Sequence, residues 1–229
     1  MTRTMKVYFF GDSIFFGQYV SPHHGWVTKV SAGLESYFRE KHNTQVMVQN
    51  PSISGNTTRD ALQRMAYDVQ AHKPDFVIMQ YGMNDCNYWQ TDLGVPRVKL
   101  EGFEQNLIEM VDRVHALGAK AMLQTNHPSS RTTTRFPLTN ITYEDSNRIY
   151  NEATRRAAAK AGVPLNDMEK AAEVYCRKHN IPARDLVLDD LLHLSLEGHK
   201  LYAEACLPFI RDFIESHWVK NEDRHARTA

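Results

Sequence analysis

The run Lys6-Val7-Tyr8-Phe9-Phe10-Gly11-Asp12-Ser13-Ile14 is apolar up to a glycine, an aspartate and a serine, where it stops. A short apolar run bounded by turn residues reads as a buried strand, here 6–10. Four more follow at 45–49, 76–80, 121–125 and 164–166. The segments between them are longer and carry helical signals. One covers 25–40, and a second covers 58–72 and stops before Pro74. In a third, Phe103, Leu107, Met110, Val114 and Leu117 recur at helical spacing before Gly118, and a fourth covers 144–161 and ends at Gly162. Two more helices are expected at 168–179 and 195–218. The latter has Tyr202, Ala205, Phe209 and Phe213 on one face and Pro208 as an expected kink. Strands alternating with helices predict an α/β fold around a mostly parallel, roughly five-stranded sheet. Ligands of such sheets bind beyond the carboxyl ends of the strands. Ser13, Gly55 and Asn84 each follow a different expected strand, so they meet at that edge.

The chemistry of these residues is specific. Near the far end of the chain lies Asp190-Leu191-Leu192-His193. A nucleophilic triad needs a hydroxyl, a base to take its proton and a carboxylate to orient that base. Ser13, His193 and Asp190 supply the three, and a spacing of three residues lets the carboxylate reach the ring from the same segment. Ser54-Gly55-Asn56 and Gly82-Met83-Asn84-Asp85 add a backbone that can turn freely and an uncharged amide donor. Gly11-Asp12-Ser13 alone reads as a turn, since these residues dominate turns for local reasons. In company with the other blocks it reads as a nucleophile.

In order and context the four blocks resemble the SGNH hydrolases, the GDSL-type esterase and lipase superfamily, over the span from Gly11 to His193. The resemblance implies a three-layer α/β/α, flavodoxin-like fold in one domain over 1–219, followed by a polar tail at 220–229. It implies Ser13 as nucleophile, His193 as general base and Asp190 as orienter. It also implies an oxyanion hole made of the Ser13 and Gly55 N–H groups and the Asn84 amide. Leu191 departs from the pattern, because many members carry glycine there. The stretch Ile53-Ser54-Gly55-Asn56-Thr57 with Arg59-Asp60 resembles the carbohydrate acetylesterases of the superfamily.

Composition narrows the setting. The 229 residues include 27 Lys plus Arg and 27 Asp plus Glu, so no global field draws the chain to nucleic acid or an acidic membrane. Three separated cysteines make no even disulfide framework, and the N-terminal apolar run is too short for a signal peptide. No run approaches the ~20 apolar residues of a membrane span. The cytoplasm is the expected location, and the sequons at Asn56 and Asn140 are read as chance matches. No cofactor is required. A metal held by His193 and His199 is disfavoured, because no cysteine or carboxylate cluster completes a ligand set.

Several further residues are candidates to line the pocket. Asp12 is expected to serve the nucleophile loop. Asn126 and His127 follow the fourth strand, and Tyr88 and Trp89 are either loop packing or an aromatic platform for a sugar. His23 and His24 are expected in a loop. Cys86 reads as a buried small residue. The polar stretch 127–143 is read as a lid, a binding loop, a disordered segment or a subunit contact, the last of which would make a homo-oligomer. The expected partner is a small-molecule ester, foremost an acetylated sugar. Lysophospholipase, acyl-thioesterase and acyltransferase activities are the rivals, and a non-catalytic carbohydrate-binding protein comes last.

Overall fold

β1 (Thr4–Gly11) is buried from Val7 to Gly11 on both of its faces, the pattern of a strand inside a covered parallel sheet. The computed structural model describes the backbone of residues 4–226 and the side chains of 4–218. β1 pairs on one side with β2 (Gln45–Gln49) and on the other with β3 (Phe76–Gln80). β4 (Lys120–Gln124) and the short β5 (Leu165–Asn166) complete the sheet. All pairs are parallel, in the order β2-β1-β3-β4-β5, so the winding direction reverses between β1 and β3. That reversal opens a crevice at the strand ends.

Side chains alternate across the strands and divide the core in two. Val7, Phe9, Phe76 and Ile78 face α2 (Trp26–His42), α6 (Met168–His179) and α7 (Leu196–Ala226). Tyr8, Phe10, Val77 and Met79 face α3 (Thr58–Asp68), α4 (Leu100–Ala116) and α5 (Tyr143–Ala161). Each fully buried large apolar side chain contributes about 1.5–3 kcal/mol, and Trp26, Phe38 and Phe103 are among those with no exposure at all. This is the α/β/α sandwich that the sequence implied.

Some elements differ in detail from expectation. Ser13 does not enter a loop but opens a one-turn helix, α1 (Ser13–Phe16). The helix expected over 58–72 ends at Asp68 and finishes in a 3₁₀ turn, Gln70–His72. In α7 the buried stripe is Tyr202, Cys206, Ile210, Phe213 and Trp218, while Phe209 is exposed. α7 continues to Ala226, through most of the expected tail, and 227–229 lie outside the described residues.

Candidate active site

Gly11 ends β1 in a place no larger residue fits. A Cβ there would lie 2.8 Å from the Phe15 ring and 2.9 Å from the Gln80 carbonyl. Asp12 then caps α1, its Oδ1 accepting the Ile14 N–H at 3.0 Å. Ser13 is thereby placed at the first helical position, where its own N–H has no partner within the helix. It sits at the crevice between β1 and β3 and is 6% exposed.

Asp190 and His193 come from a tight turn that enters α7. Val187 and Leu194 form an antiparallel bridge, and the Leu188 N–H donates to the His193 carbonyl at 2.7 Å. Asp190 Oδ1 accepts the Leu192 and His193 N–H groups, each at 3.0 Å, while Oδ2 accepts from His193 Nδ1. His193 Nε2 lies 2.9 Å from Ser13 Oγ. Partial burial works to raise the Asp190 carboxyl, but the bonds from His193 and Leu192 outweigh it and hold the group below its usual range. Leu191, which stands where many SGNH members carry glycine, adopts φ 64°. The turn therefore keeps the glycine-like shape with a leucine, at a cost of roughly 1–2 kcal/mol.

Gly55 and Asn84 reach the same edge from β2 and β3. Gly55 is exposed at φ 80°, with nothing within 4 Å of a notional Cβ, so the left-handed turn and not crowding calls for glycine. Asn84 Nδ2 donates to Asp12 Oδ2 at 3.3 Å, which leaves its second N–H for another acceptor. Asp12 itself is fully buried and meets no solvent. Burial, joined by the charge of Asp85, pushes its carboxyl up to about 7.

Three supports had no strong signal in the sequence. Arg64 ties the Gly55 loop to β1, donating to Pro51 O at 2.5 Å, Asn56 Oδ1 at 2.6 Å and Gly11 O at 3.4 Å. A buried amide chain joins the strand ends: Asn166 to Gln124, Gln124 to Gln80 and Gln80 to Asn126, at 2.8, 2.7 and 2.6 Å. Tyr19, at φ 69° and 70% exposed, sets its ring at 5.1 Å and 86° to the imidazole of His193. A non-glycine residue with positive φ next to a reactive group was the only available clue, and it belongs to the backbone, not to the sequence.

The expected lining residues divide. Asn126 and His127 have no exposed surface to offer a ligand. His127 Nε2 donates to the Leu192 carbonyl at 2.9 Å and Nδ1 accepts from the Tyr202 hydroxyl at 2.8 Å. Burial lowers its pKa to about 4, which keeps it neutral as a strut beneath the Asp190 turn. The segment after it is anchored too, with Ser130 N–H donating to Leu191 O and Arg131 Nε to Asp190 O, both at 2.9 Å. Tyr88 packs on Phe136 at 4.7 Å, whereas Trp89 is 52% exposed under the Arg97 guanidinium. His23 and His24 set their rings 4.1 Å apart at a tilt of 46° in an exposed 3₁₀ turn. His199 is buried and accepts the Trp26 N–H at 3.3 Å. Among the described residues no group of three or more His, Cys, Asp or Glu gathers to hold a metal.

Known proteins resemble this chain in sequence and fold. The sequence profile described as GDSL-like Lipase/Acylhydrolase family matches residues 9–201. An acetylxylan esterase of Geobacillus stearothermophilus is 27% identical over 244 residues, covering 94% of this chain and 96% of its own. The match to the uncharacterized lipoprotein YqeF of Bacillus subtilis strain 168 is 28% over 140 residues, and the chain spans only 56% of that relative's length. Among solved structures, an alpha/beta hydrolase from the metagenome of Lake Arreo, Spain, superposes with TM-score 0.73 at 27% identity, over 91% of this chain and 95% of that one. No helix among the described residues is long and apolar enough to cross a membrane. With a profile that spans most of the chain and an esterase aligned over nearly all of it, the chain belongs to the GDSL-like lipase/acylhydrolase family and is a carboxylic ester hydrolase.

Proposed function

We propose that this enzyme removes a short acyl group, foremost acetyl, from a small polar or carbohydrate ester through an acyl-enzyme intermediate. The observation that carries the reading is the continuous line of hydrogen bonds from Asp190 through His193 to Ser13. Ser13 Oγ attacks the acyl carbon as His193 Nε2 takes its proton. The negative charge on the former carbonyl oxygen meets the N–H groups of Ser13 and Gly55 and the Asn84 amide. Such prealigned donors are often the largest catalytic term, each worth roughly 10²–10³ in rate. Collapse of the adduct breaks the ester C–O bond, and the alcohol leaves with the proton from His193. Water then gives its proton to His193, attacks the acyl carbon and releases the acid, and Ser13 recovers its hydrogen.

The full-length relative named acetylxylan esterase supports acetyl and sugar as the two halves of the ester. Half-exposed Trp89 supports a flat ring on the alcohol side. A second reading, a longer acyl chain, is favoured by the exposure of Phe16, Tyr19 and Ile53 in segments that adjoin Ser13, His193 and Gly55. The cytoplasm is retained as the compartment because all three cysteines are unpaired.

Two measurements test the reading. Folded Ser13→Ala should lose nearly all turnover and all labelling by a fluorophosphonate probe, and near-normal turnover would remove Ser13 from the chemistry. Across p-nitrophenyl esters kcat/KM should be highest for acetyl, lower for butyryl and negligible for octanoyl. A maximum at eight carbons or beyond would transfer the assignment to lipid or thioester substrates.

A further inference from the structure

A depression of about 470 Å³ lies beside the Gly55 loop, walled by Arg59, Asp60, Trp89, Asp92, Arg97 and Lys99. Arg97 joins its wall to the Gly55 loop: Nη1 donates to the Gly55 carbonyl at 3.1 Å, and the guanidinium lies 4.3 Å above the Trp89 ring. The two carboxylates in the wall already serve the backbone. Asp60 Oδ2 accepts from the Thr57 N–H at 2.8 Å and hydroxyl at 2.7 Å, closing the capping box of α3, and Asp92 accepts the Trp89 N–H at 3.3 Å. Two of the three cations are uncommitted: Arg59 and Lys99 are exposed and form no ion pair among the described residues. The wall therefore offers a half-exposed aromatic ring with one cation fixed on one of its two faces, and two free cations. A neutral sugar would use the ring and leave both free charges idle.

We propose that this depression is the subsite for the alcohol half of the ester and that it takes a sugar carrying a negative charge, a uronic acid or a sulfated hexose. The inference rests on the carbohydrate-ester reading given above, and adds charge to it. Trp89 supplies the platform on which the ring lies, since aromatic faces pack against the C–H face of a sugar. Arg59 and Lys99 meet the anion. They are solvent-exposed cations, so each supplies a modest attraction that salt weakens. Together they should favour the anionic sugar by about five- to tenfold, the range expected of two exposed charge pairs.

The test uses the wild-type enzyme and three matched glycosides that differ only at C6: methyl glucoside, methyl glucuronide and methyl glucoside 6-sulfate. Without an acetyl group none is a substrate, so equilibrium binding followed by tryptophan fluorescence or calorimetry reads the depression apart from any hydrolysis. At low salt the two anionic glycosides, or one of them, should bind about five- to tenfold tighter than the neutral one. Binding by one alone identifies the anion as carboxylate or sulfate. The advantage should fall in 0.5 M salt and vanish in Arg59→Gln/Lys99→Gln, while Trp89→Ala should weaken all three. Equal binding of the three, or an advantage that survives the double substitution, would overturn the proposal. The acetylated forms of the same glycosides are assayed in parallel. If none of them is hydrolysed while p-nitrophenyl acetate is, the carbohydrate-ester reading fails, and with it the role of the depression as a subsite for that ester, whatever the binding series shows.

Discussion

At the scale of single residues, Asp12 ties the proposed catalytic serine to the stability of the fold. Its side chain caps the helix that presents Ser13 and holds the Asn84 amide, and it does both without solvent contact. Burial raises its carboxyl to about 7, so between the ordinary carboxylate range and neutrality the folded protein keeps a proton that the unfolded chain has released. Stability from this group is fully present at low pH and is lost as pH rises through about 4 to 7, a swing on the order of a few kcal/mol. Asp85, raised by its own burial to about 6, tilts the curve the same way. Asp12→Asn should therefore flatten the fall of the melting temperature between pH 5 and 8 without abolishing it. It should also lower kcat, because an amide in place of Oδ2 points a donor at Asn84. An unchanged slope of melting temperature against pH would show that Asp12 does not carry the titration. The sequence offered Ser13, Asp190 and His193 as candidates because reactive residue types sit in short motifs at strand and helix ends, and the fold brings the three into one hydrogen-bonded line. It hid Arg64 and Tyr19, whose roles come from neighbours far away in the chain. It misplaced Asn126 and His127 because a position just past a strand does not reveal whether a side chain turns out to the crevice or in to the amide chain beneath it.

At the scale of elements, the proposed active site is a set of strand ends held to one another and a turn held to a helix. β1 and β3 were readable because a covered parallel strand is apolar over most of its length, and α4 was readable because Phe103, Leu107, Met110 and Val114 keep strict helical spacing and are all buried. α7 was harder. Its apolar residues nearly surround the helix, so spacing alone did not separate exposed Phe209 from buried Ile210. The contact that sets its position is Gly198, where a Cβ would fall 2.1 Å from the Leu186 carbonyl oxygen. That oxygen is fixed, since it accepts the Ser195 N–H at 3.0 Å. Gly198→Ala must push α7 away from the segment that carries Asp190 and His193. Overpacking of this kind costs about 1–3 kcal/mol or more, and a shift near 1 Å at the reacting groups can cost about 10² in rate. The variant should therefore lose both melting temperature and kcat although every catalytic side chain is intact. A variant with wild-type melting temperature and kcat would show that the helix and the turn are not rigidly coupled.

At the scale of the whole molecule, α7 links the catalytic edge to the opposite end of the sheet. It begins three residues after His193 and places Trp218 against Phe76, at the first position of β3, with ring centroids 6.3 Å apart. The 22 residue-to-residue steps from Leu196 to Trp218 span roughly 33 Å at the helical rise, about the width of a small domain. Trp218 is 1% exposed and shares its cluster with Phe213, which also packs on Phe76 at 5.6 Å. Removing so large a buried ring costs about 3–5 kcal/mol, a large part of the 5–15 kcal/mol that separates folded from unfolded states. Yet the cavity would open at the amino end of the strands, while Ser13, Gly55 and Asn84 stand beyond the carboxyl ends. Trp218→Ala should therefore lower the melting temperature by roughly 6–20 °C and leave kcat at 25 °C within about twofold of wild type, since effects at distant, unshared sites are close to independent. Melting followed by circular dichroism and kcat on p-nitrophenyl acetate, measured on the same preparation, decide the matter. A large loss of kcat in protein that is still folded would mean that the length of α7 transmits packing at Trp218 to the turn that holds Asp190 and His193.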